Sequence, residues 1–484
     1  MTALEIFNII MAINIILTIL VVILDNRDPE TSLTWIILLL FLPVVGLFFF
    51  LMAGINWKKR KLTAQNPEEL FNRYFGNVIE GQRRFIKISE EKNEMDNDRY
   101  KLINLLLKAN RSVLTTCNHC RIFTNGGDFF SNLLEDLETA RHSIHMEFFI
   151  WKSDNIGNRI KDVLIRKASE GVNVRLIFDG VGSLGRISRK YRNELRDAGV
   201  EFRYFHDLSA PMSVFRINYS NHRKIAIIDG DIAYTGGMNV GDEYIDGGRF
   251  GHWRDTQIRV TGENIYILQG IFITDWKNSH GSFPVSEAYF PDPEPENEDF
   301  NSYLPMQYAI SGADSQWDAI QKLYFTMITN ANREICIQTP YFIPDKGLMN
   351  ALISAALGGA DVKLMITGVP DKRIPFWAAH TYFEPLLRAG VEIYLYKKGF
   401  LHAKTITVDR ELTSVGSCNM DMRSFHINYE INTMIYDIEK AVEMTEIFND
   451  DLKLCMKVTD EYLESLSFFS KLRNSFFRLL SPLM

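Results

Sequence analysis

The chain has 484 residues, of which 46% are hydrophobic and 23% charged, and its net charge at pH 7 is -7. This composition is typical of a globular protein and excludes a largely disordered chain. The acidic balance argues against a general nucleic-acid binder, so no nucleic-acid partner is expected. Five cysteines, an odd number, favour a reducing compartment. Cys117 and Cys120 have no second pair or ligand cluster nearby, so neither a metal nor a cofactor is expected.

The first 61 residues contain two long apolar runs, at 4–24 and 35–55, and a basic cluster comes after them at 58–61. Each run matches the roughly 20 apolar residues that cross a bilayer core. The first run lacks the basic start and the small-residue cleavage site of a secretory signal peptide, which is the alternative interpretation. We therefore predict a membrane anchor with two transmembrane helices over residues 1–61. Because basic residues stay on the inner side, the rest of the chain is expected in the cytoplasm.

The remainder of the chain divides into two halves with the same order of elements. After a charged spacer at 62–109, which we expect to be helical, the first half covers residues 110–288 and the second covers 305–465. An acidic, proline-rich segment at 289–304 connects them, since such a sequence continues neither a strand nor a helix. Each half alternates apolar strands with amphipathic helices, which predicts an α/β fold with helices covering a mixed sheet.

Each half carries one copy of the pattern His-x-Lys-x4-Asp, followed by a small pair and an asparagine at matching offsets. The residues are His222, Lys224, Asp229 and Asn239 in the first half, and His402, Lys404, Asp409 and Asn419 in the second. Side chains two apart on a strand point the same way, so each histidine is expected to face one pocket with its lysine. The asparagines come after small residues that allow close backbone approach, and they are candidate donors to the same pocket.

Two such pockets together suit the exchange of a phosphate diester. One imidazole can attack phosphorus and form a covalent phosphoryl-histidine. The departing alcohol is a poor leaving group and needs a proton, which the other histidine can supply. The lysines and asparagines would stabilise the charge that builds on the non-bridging oxygens. This chemistry does not require a metal.

A carboxylate behind each histidine would fix its tautomer and raise its basicity. The candidates on the strands downstream are Asp255 and Glu430. Three other acidic residues lie near in sequence and remain alternatives: Asp242, Glu243 and Asp421. Asp229 and Asp409 each stand at a turn seven residues after a histidine, where capping the hairpin is the alternative to a chemical role.

Residues 466–484 are predicted to form a C-terminal amphipathic helix. Six apolar side chains fall on one helical face: Phe468, Phe469, Leu472, Phe476, Leu479 and Leu480. The cations lie elsewhere around the helix: Lys471, Arg473 and Arg478. This pattern is typical of a helix that lies in a membrane interface. A helix that packs on the protein's own core is the alternative, and both stay open.

The duplicated pattern resembles the HKD motif of the phospholipase D superfamily, over residues 110–465. The resemblance implies two pseudo-symmetric α/β sandwich halves that share one active-site cleft. It also implies a catalytic set made of both triads: His222, Lys224, Asp229, His402, Lys404 and Asp409. In that superfamily the first histidine is the nucleophile and the second is the general acid and base, which assigns these roles to His222 and His402.

Within the superfamily, the chain resembles bacterial cardiolipin synthases along almost its whole length. The matching segments include residues 26–29, 42–46, 144–147, 179–183 and 416–424. This implies a multi-pass protein of the bacterial plasma membrane that converts two phosphatidylglycerol molecules to cardiolipin and glycerol. A hydrolytic phospholipase D and a phosphatidylserine synthase remain alternatives, because the histidines do not decide which hydroxyl attacks the intermediate. A nuclease and a catalytically dead membrane scaffold are more distant alternatives.

Overall fold

The computed structural model describes residues 2–24, 29–42, 97–207, 218–283, 289–290 and 303–481, with positions 44, 46, 47, 50 and 82 between them. The basic cluster at 58–61 lies outside the described residues. So do most of the predicted spacer and most of the predicted connection between the halves. These three features therefore stay predictions.

Two N-terminal helices, α1 (Ala3–Leu24) and α2 (Pro29–Phe41), pack against each other through an apolar cluster that includes Val22, Trp35 and Leu39. Within the described residues, no helix combines the length and the hydropathy that a membrane crossing requires. The prediction of two transmembrane helices is therefore not confirmed. Helix α2 covers the second predicted span only as far as Phe41, and most of the later residues of that span lie outside the described part of the chain.

The first half begins with a helix and continues as alternating strands and helices. Helix α3 (Asn97–Asn110), at the end of the predicted spacer, buries Leu102, Leu106 and Leu107 in the core. The next elements are β1 (Thr115–Phe123), α4 (Gly126–Thr139), β2 (Ser143–Phe148), α5 (Asn155–Ser169), β3 (Asn173–Asp179), α6 (Arg189–Asp197) and β4 (Glu201–Phe205). After these come β5 (Lys224–Ile228), β6 (Ile232–Gly236), β7 (His252–Arg254), β8 (Gln257–Gly262) and α7 (Asn264–Asn278).

The second half repeats this order. It opens with β9 (Tyr303–Ser311), α8 (Ala319–Thr329), β10 (Glu334–Thr339), β11 (Phe342–Ile343), α9 (Lys346–Leu357), β12 (Asp361–Thr367), α10 (Arg373–Ala379), α11 (Phe383–Ala389) and β13 (Glu392–Tyr396). It continues with β14 (Gly399–Leu401), β15 (Thr405–Val408), β16 (Leu412–Gly416), β17 (Met420–Asp421), α12 (Met422–His426), β18 (Glu430–Ile435) and α13 (Ile438–Leu452). The last elements are β19 (Cys455–Lys457), α14 (Asp460–Ser465) and α15 (Phe468–Arg478).

Within the described residues, one 15-stranded sheet runs through both halves in the order β19-β13-β12-β10-β15-β16-β18-β9-β1-β8-β6-β5-β2-β3-β4. The two ends mirror each other, since β4-β3-β2-β5-β6-β8-β1 matches β13-β12-β10-β15-β16-β18-β9. The pairs within β2-β3-β4 and β10-β12-β13 are parallel, so the sheet is mixed. Antiparallel pairing of β1 with β9 joins the halves edge to edge. The prediction of an α/β fold with two repeated halves is confirmed, and the halves share a continuous sheet.

Strand register sets where the motif residues lie. Lys224, at the start of β5, lies opposite Phe148, the last residue of the buried strand β2. In the second half, Thr405 at the start of β15 lies opposite Gln338 near the end of β10. The segments that lead into β5 and β15 therefore both lie at the carboxyl edge of the parallel strands. This edge is where α/β sheets usually place their ligands.

Short backbone pairings between the halves close over that edge. Strand β7 of the first half pairs in parallel with β14 of the second, and a separate bridge joins Asn221 to Tyr429. The N–H of His402 donates to the carbonyl oxygen of Arg254 at 2.7 Å. The N–H of His222 donates to the carbonyl oxygen of Tyr429 at 2.9 Å. The backbone of each motif histidine is thus fixed to a segment of the opposite half.

Candidate active site

His222 lies in a buried pocket formed by both halves. Its Nδ1 is 2.9 Å from Oε2 of Glu430 and 3.1 Å from the carbonyl oxygen of Ser417. The hydroxyl of Ser417 donates a further hydrogen bond to the carboxylate of Glu430, which is fully buried. The ring of Phe149 packs edge to face on the imidazole, with 4.8 Å between the two ring centroids. Because both partners of Nδ1 are acceptors, the proton sits on Nδ1 and Nε2 is the nitrogen left for reaction.

His402 has a matching environment. Its Nδ1 is 2.6 Å from Oδ2 of Asp255, which is also fully buried. The hydroxyl of Tyr244 lies 3.3 Å from the same nitrogen. The rings of Trp253 and Phe400 flank the imidazole, each with its centroid 5.6 Å away. The carboxylate again fixes the tautomer in which Nε2 is available for reaction.

The carboxylate that orients each histidine belongs to the opposite half. Asp255 comes from the first half and contacts His402, whereas Glu430 comes from the second half and contacts His222. Sequence analysis identified both carboxylates, but their crossed pairing is a result of the structure. The backbone pairings over the sheet edge bring each carboxylate to its histidine. Neither half alone therefore contains a complete site.

Burial and neighbouring charge set the protonation of this cluster. Burial lowers the pKa of His222 to about 4 and the pKa of His402 to about 3, in spite of the carboxylates beside them. Although burial favours a neutral carboxyl, the adjacent histidine and lysine hold the pKa of Glu430 and of Asp255 below the usual value. At neutral pH the site therefore contains two neutral imidazoles, each donating its Nδ1 proton to a carboxylate anion.

Lys224 and Lys404 bring two buried amines to the same place. Each Nζ donates a hydrogen bond to the carbonyl oxygen of the histidine in its own motif. Burial lowers the pKa of Lys224 to about 7 and the pKa of Lys404 to about 8. Each lysine also disfavours the charged form of the histidine in the opposite half, as expected if both motifs line one cluster. Two such ammonium groups are complementary to a phosphate anion.

Asn239 and Asn419 are buried beside the histidines and hold the surrounding loops. Nδ2 of Asn239 donates to the hydroxyl of Tyr244 at 3.2 Å, and Tyr244 links it to His402. Nδ2 of Asn419 donates to Ser424 at 3.2 Å. Among the described residues, Oδ1 of Asn419 is buried without a hydrogen-bond partner. Contact of either asparagine with the substrate phosphate stays a prediction.

Asp229 and Asp409 lie at the opposite edge of the sheet. Asp229 comes directly after β5, five residues beyond Lys224. At 3.4 Å per residue, the two positions are about 17 Å apart along the strand. The carboxylate of Asp229 accepts three main-chain N–H bonds at 2.7 Å, from Arg141, His142 and Ser143. The carboxylate of Asp409 accepts three at 2.7 to 2.8 Å, from Asn332, Arg333 and Glu334. Both carboxylates cap the start of β2 and β10, which is the capping alternative, and a catalytic role for Asp229 and Asp409 stays a prediction.

The three alternative carboxylates are engaged elsewhere. Asp242 accepts the N–H groups that begin α5, at 2.8 and 3.0 Å. Glu243 forms an ion pair with Lys152 at 2.6 Å. Asp421 caps α12 by accepting the N–H of Ser424 at 2.7 Å. These contacts leave Asp255 and Glu430 as the partners of the two histidines.

Comparisons with known proteins identify the family of this chain. Residues 133–249 and 324–452 match the family model "Cardiolipin synthase, PLD-like domain", and residues 6–54 match "Phospholipase_D-nuclease N-terminal". The chain is 40% identical over 481 residues to a cardiolipin synthase of Alkalihalophilus pseudofirmus, covering 99% of this chain and 93% of the relative. It is 39% identical over 482 residues to the major cardiolipin synthase ClsA of Bacillus subtilis, covering 98% of this chain and 97% of the relative. This chain belongs to the cardiolipin synthase family.

Among solved structures, the phosphatidylserine synthase of Haemophilus influenzae has a similar fold. The TM-score is 0.59 at 13% identity, covering 79% of this chain and 100% of that chain. At this identity the likeness concerns the fold alone, and it supports the phospholipase D-like arrangement of two repeated halves. As a member of the cardiolipin synthase family, the chain is a phosphatidyltransferase of phospholipid biosynthesis.

Sequence analysis of this cardiolipin synthase missed Tyr244. This residue lies five positions after Asn239, as Ser424 lies five positions after Asn419 in the second motif. Both residues accept a hydrogen bond from the side chain of their asparagine, but only the phenol is long enough to reach the ring of His402 as well. Extending the motif comparison by five residues would have pointed to this position. The change from tyrosine to serine makes the surroundings of the two histidines unequal.

Proposed function

We propose that this cardiolipin synthase transfers a phosphatidyl group between two phosphatidylglycerol molecules, with His222 as the nucleophile. Nε2 of His222 attacks the phosphorus of the first lipid, so that an N–P bond forms and the P–O bond to the headgroup glycerol breaks. His402 gives its Nε2 proton to the departing glycerol oxygen. His402 then takes the proton from a headgroup hydroxyl of the second lipid, whose oxygen attacks phosphorus and releases His222. Two phosphatidylglycerol molecules thereby give one cardiolipin and one glycerol.

The crossed carboxylate pairs carry this proposal. Each imidazole has Nδ1 held by a buried carboxylate, so each presents Nε2 with a fixed tautomer. His222 gains positive charge when its Nε2 bonds to phosphorus, and His402 carries positive charge before it donates its proton. A carboxylate beside each imidazole stabilises that charged form. Lys224 and Lys404, which are buried in the same cluster, would stabilise the charge on the non-bridging oxygens. The order of roles, His222 before His402, comes from the superfamily resemblance.

His402 must hold a second proton in the first step, although burial lowers its pKa. The phosphate diester of the substrate brings a negative charge into the cluster. An anion within a few ångströms favours the imidazolium and so raises the pKa of the histidine when the lipid is bound. His222 reacts in its neutral form, which burial favours, because attack needs the Nε2 lone pair.

We further propose that the enzyme is anchored in the bacterial plasma membrane through residues 1–61, with both halves on the cytoplasmic side. Two apolar runs and the basic cluster at 58–61 support this orientation. The match of residues 6–54 to a phospholipase D N-terminal model supports a conserved role for this segment. An anchor suits the reaction, since both lipid substrates and cardiolipin remain in the bilayer.

The test is a product count with purified full-length enzyme in phosphatidylglycerol vesicles. We expect cardiolipin and glycerol in equal amounts, and loss of both products in His222→Ala and His402→Ala. Phosphatidic acid as the main product would mean that water attacks the intermediate and that the enzyme is a hydrolase. Transfer to added serine in place of phosphatidylglycerol would indicate a phosphatidylserine synthase.

A further inference from the structure

The C-terminal helix α15 has an apolar face that lies open to solvent. Five side chains on it are between 55% and 79% exposed: Phe468, Phe469, Leu472, Phe476 and Leu479. At 3.6 residues per turn, these five lie within an arc of about 100° on the helix surface. A contiguous exposed patch of large apolar side chains on a folded domain marks an interaction site. We call these five residues the docking face.

The opposite side of α15 is attached to α10. The ring of Phe477 packs on Trp377 at 5.2 Å, and the guanidinium of Arg473 lies 4.3 Å over the same ring. Asn474 is buried between the helices. The sequence left open a helix that packs on the protein and a helix that lies in a membrane interface. α15 is compatible with both interpretations, because one face packs on the protein and the other is exposed.

The helix that carries the docking face is itself cationic, and the acidic residues Asp460, Glu461 and Glu464 lie before it, in α14. Residues 467–481 contain Lys471, Arg473 and Arg478 and no acidic residue, in a chain whose net charge is -7. Exposed Lys372 and Arg373 add two cations at the start of α10. Apolar side chains bordered by lysine and arginine are complementary to an anionic bilayer, whose headgroups attract the cations while the rings enter the acyl boundary.

The helix pair that carries the docking face lies at the same sheet edge as the active site. Helix α10 comes after β12 at the carboxyl edge of the parallel strands, the edge that holds both motif histidines. Just before α10, both carboxylate oxygens of Asp371 accept a hydrogen bond from the hydroxyl of Tyr341, at 2.7 and 2.8 Å. The charge of Asp371 also acts on Lys404 in the catalytic cluster. Asp371, two residues before α10, is therefore close enough to the catalytic cluster to act on its charge.

We propose that the α10–α15 pair seats the catalytic domain on the anionic bilayer, with the docking face inserted and the cleft turned toward the lipid headgroups. This inference deepens the proposed function, on which it rests for a substrate that lies in the bilayer. A phosphatidylglycerol headgroup then needs to rise only a short way from the membrane plane to reach His222 and His402. The N-terminal segment supplies the tether, and the docking face supplies the orientation.

A direct test places a photoreactive benzoylphenylalanine at Phe469 in the full-length enzyme, reconstituted in phosphatidylglycerol vesicles. The matched control places it at Leu357, which is 71% exposed at the end of α9, on the opposite edge of the sheet. We expect a lipid adduct at position 469 and none at 357. Cross-linking of position 469 to a second copy, or to residues 3–24 of the same chain, would overturn the proposal. This readout needs no turnover, so it stands apart from any failure of the proposed reaction.

A second test measures the rates on vesicle phosphatidylglycerol and on monomeric phosphatidylglycerol. The variant carries both Phe468→Asp and Phe469→Asp, and Leu357→Asp is the control. We expect the rate on vesicle phosphatidylglycerol to fall by about tenfold or more, because two large apolar side chains no longer enter the bilayer. The rate on a short-chain, monomeric phosphatidylglycerol should stay at the wild-type level. Equal losses on both substrates, or no loss on vesicles, would contradict a role in membrane docking.

Discussion

The carboxylate of Asp255, in the first half of the chain, lies 2.6 Å from the imidazole of His402, in the second half. The reciprocal pair, Glu430 with His222, is 2.9 Å apart. Each half therefore supplies a reactive histidine to its own motif and an orienting carboxylate to the other. The continuous sheet and the backbone pairings over the site hold the two halves in the arrangement that this exchange requires. The candidate active site therefore lies where the two halves meet.

Neutralising either carboxylate should reduce the rate without unfolding the protein. In Asp255→Asn and Glu430→Gln, the amide can present a donor to Nδ1 and favour the wrong tautomer, so we expect kcat to fall by about 10²- to 10⁴-fold. Steady-state cardiolipin formation measures the effect, with circular dichroism to confirm folding. Glu243→Gln is the matched control, because Glu243 pairs with Lys152 instead, and its kcat should stay near wild type. A normal rate in both site variants would remove the carboxylates from the mechanism.

The pH profile should show an alkaline limb from the buried lysines. The pKa of Lys224 is about 7 and that of Lys404 about 8, so each is charged below that value and neutral above it. The ratio kcat/KM reports ionisations of the free enzyme, in which His402 has a pKa of about 3 and must gain a proton, so this ratio should already decline with rising pH. Since phosphate binding needs the charged lysines, the decline should become steeper above about pH 7 to 8. Monomeric short-chain phosphatidylglycerol avoids effects of pH on vesicles. A decline of kcat/KM that becomes no steeper up to about pH 9 would contradict this role.

Loss of the motif aspartates should affect stability more than chemistry. Asp229 accepts three main-chain N–H bonds, so Asp229→Ala should lower the free energy of unfolding by about 1–3 kcal/mol. The rate per folded molecule should remain within about tenfold of wild type, because no reacting group moves. Urea denaturation and active-site titration separate the two effects. A much larger loss of kcat in a fully folded variant would restore a catalytic role for Asp229.

The tight packing around Asp255 predicts that a side chain at Gly237 would reduce activity. A Cβ at Gly237 would lie 2.1 Å from Oδ1 of Asp255, so Gly237→Ala must displace the carboxylate that holds His402. We expect kcat to fall by about tenfold or more, as for loss of other groups that orient a reactive side chain. Ser417 occupies the matching position in the second half and already has a Cβ, so Ser417→Ala is the control. It removes only the hydroxyl bonded to Glu430, and a loss as large as that of Gly237→Ala would argue against the steric explanation.

Several features could be predicted from the sequence because local spacing determines them. The repeated order of elements indicated two α/β halves, and the spacing of His222 and Lys224 placed both at one strand end. The crossed pairing could not be predicted, since sequence distance favours a carboxylate from the same half. Capping by Asp229 was one of two alternatives from the sequence, but its partners at the start of β2 could not be predicted, because they are more than 80 residues away in the chain.

The assignment of His222 as nucleophile is tested most directly with a phosphatidyl ester of p-nitrophenol and the His402→Ala variant. This leaving group departs without a proton, so the first step no longer needs His402, whereas the second step still does. We predict a stoichiometric burst of nitrophenolate and a phosphatidyl adduct that mass spectrometry maps to His222. His222→Ala should show neither. An adduct on His402 in the wild-type enzyme, or a burst in His222→Ala, would contradict the mechanism.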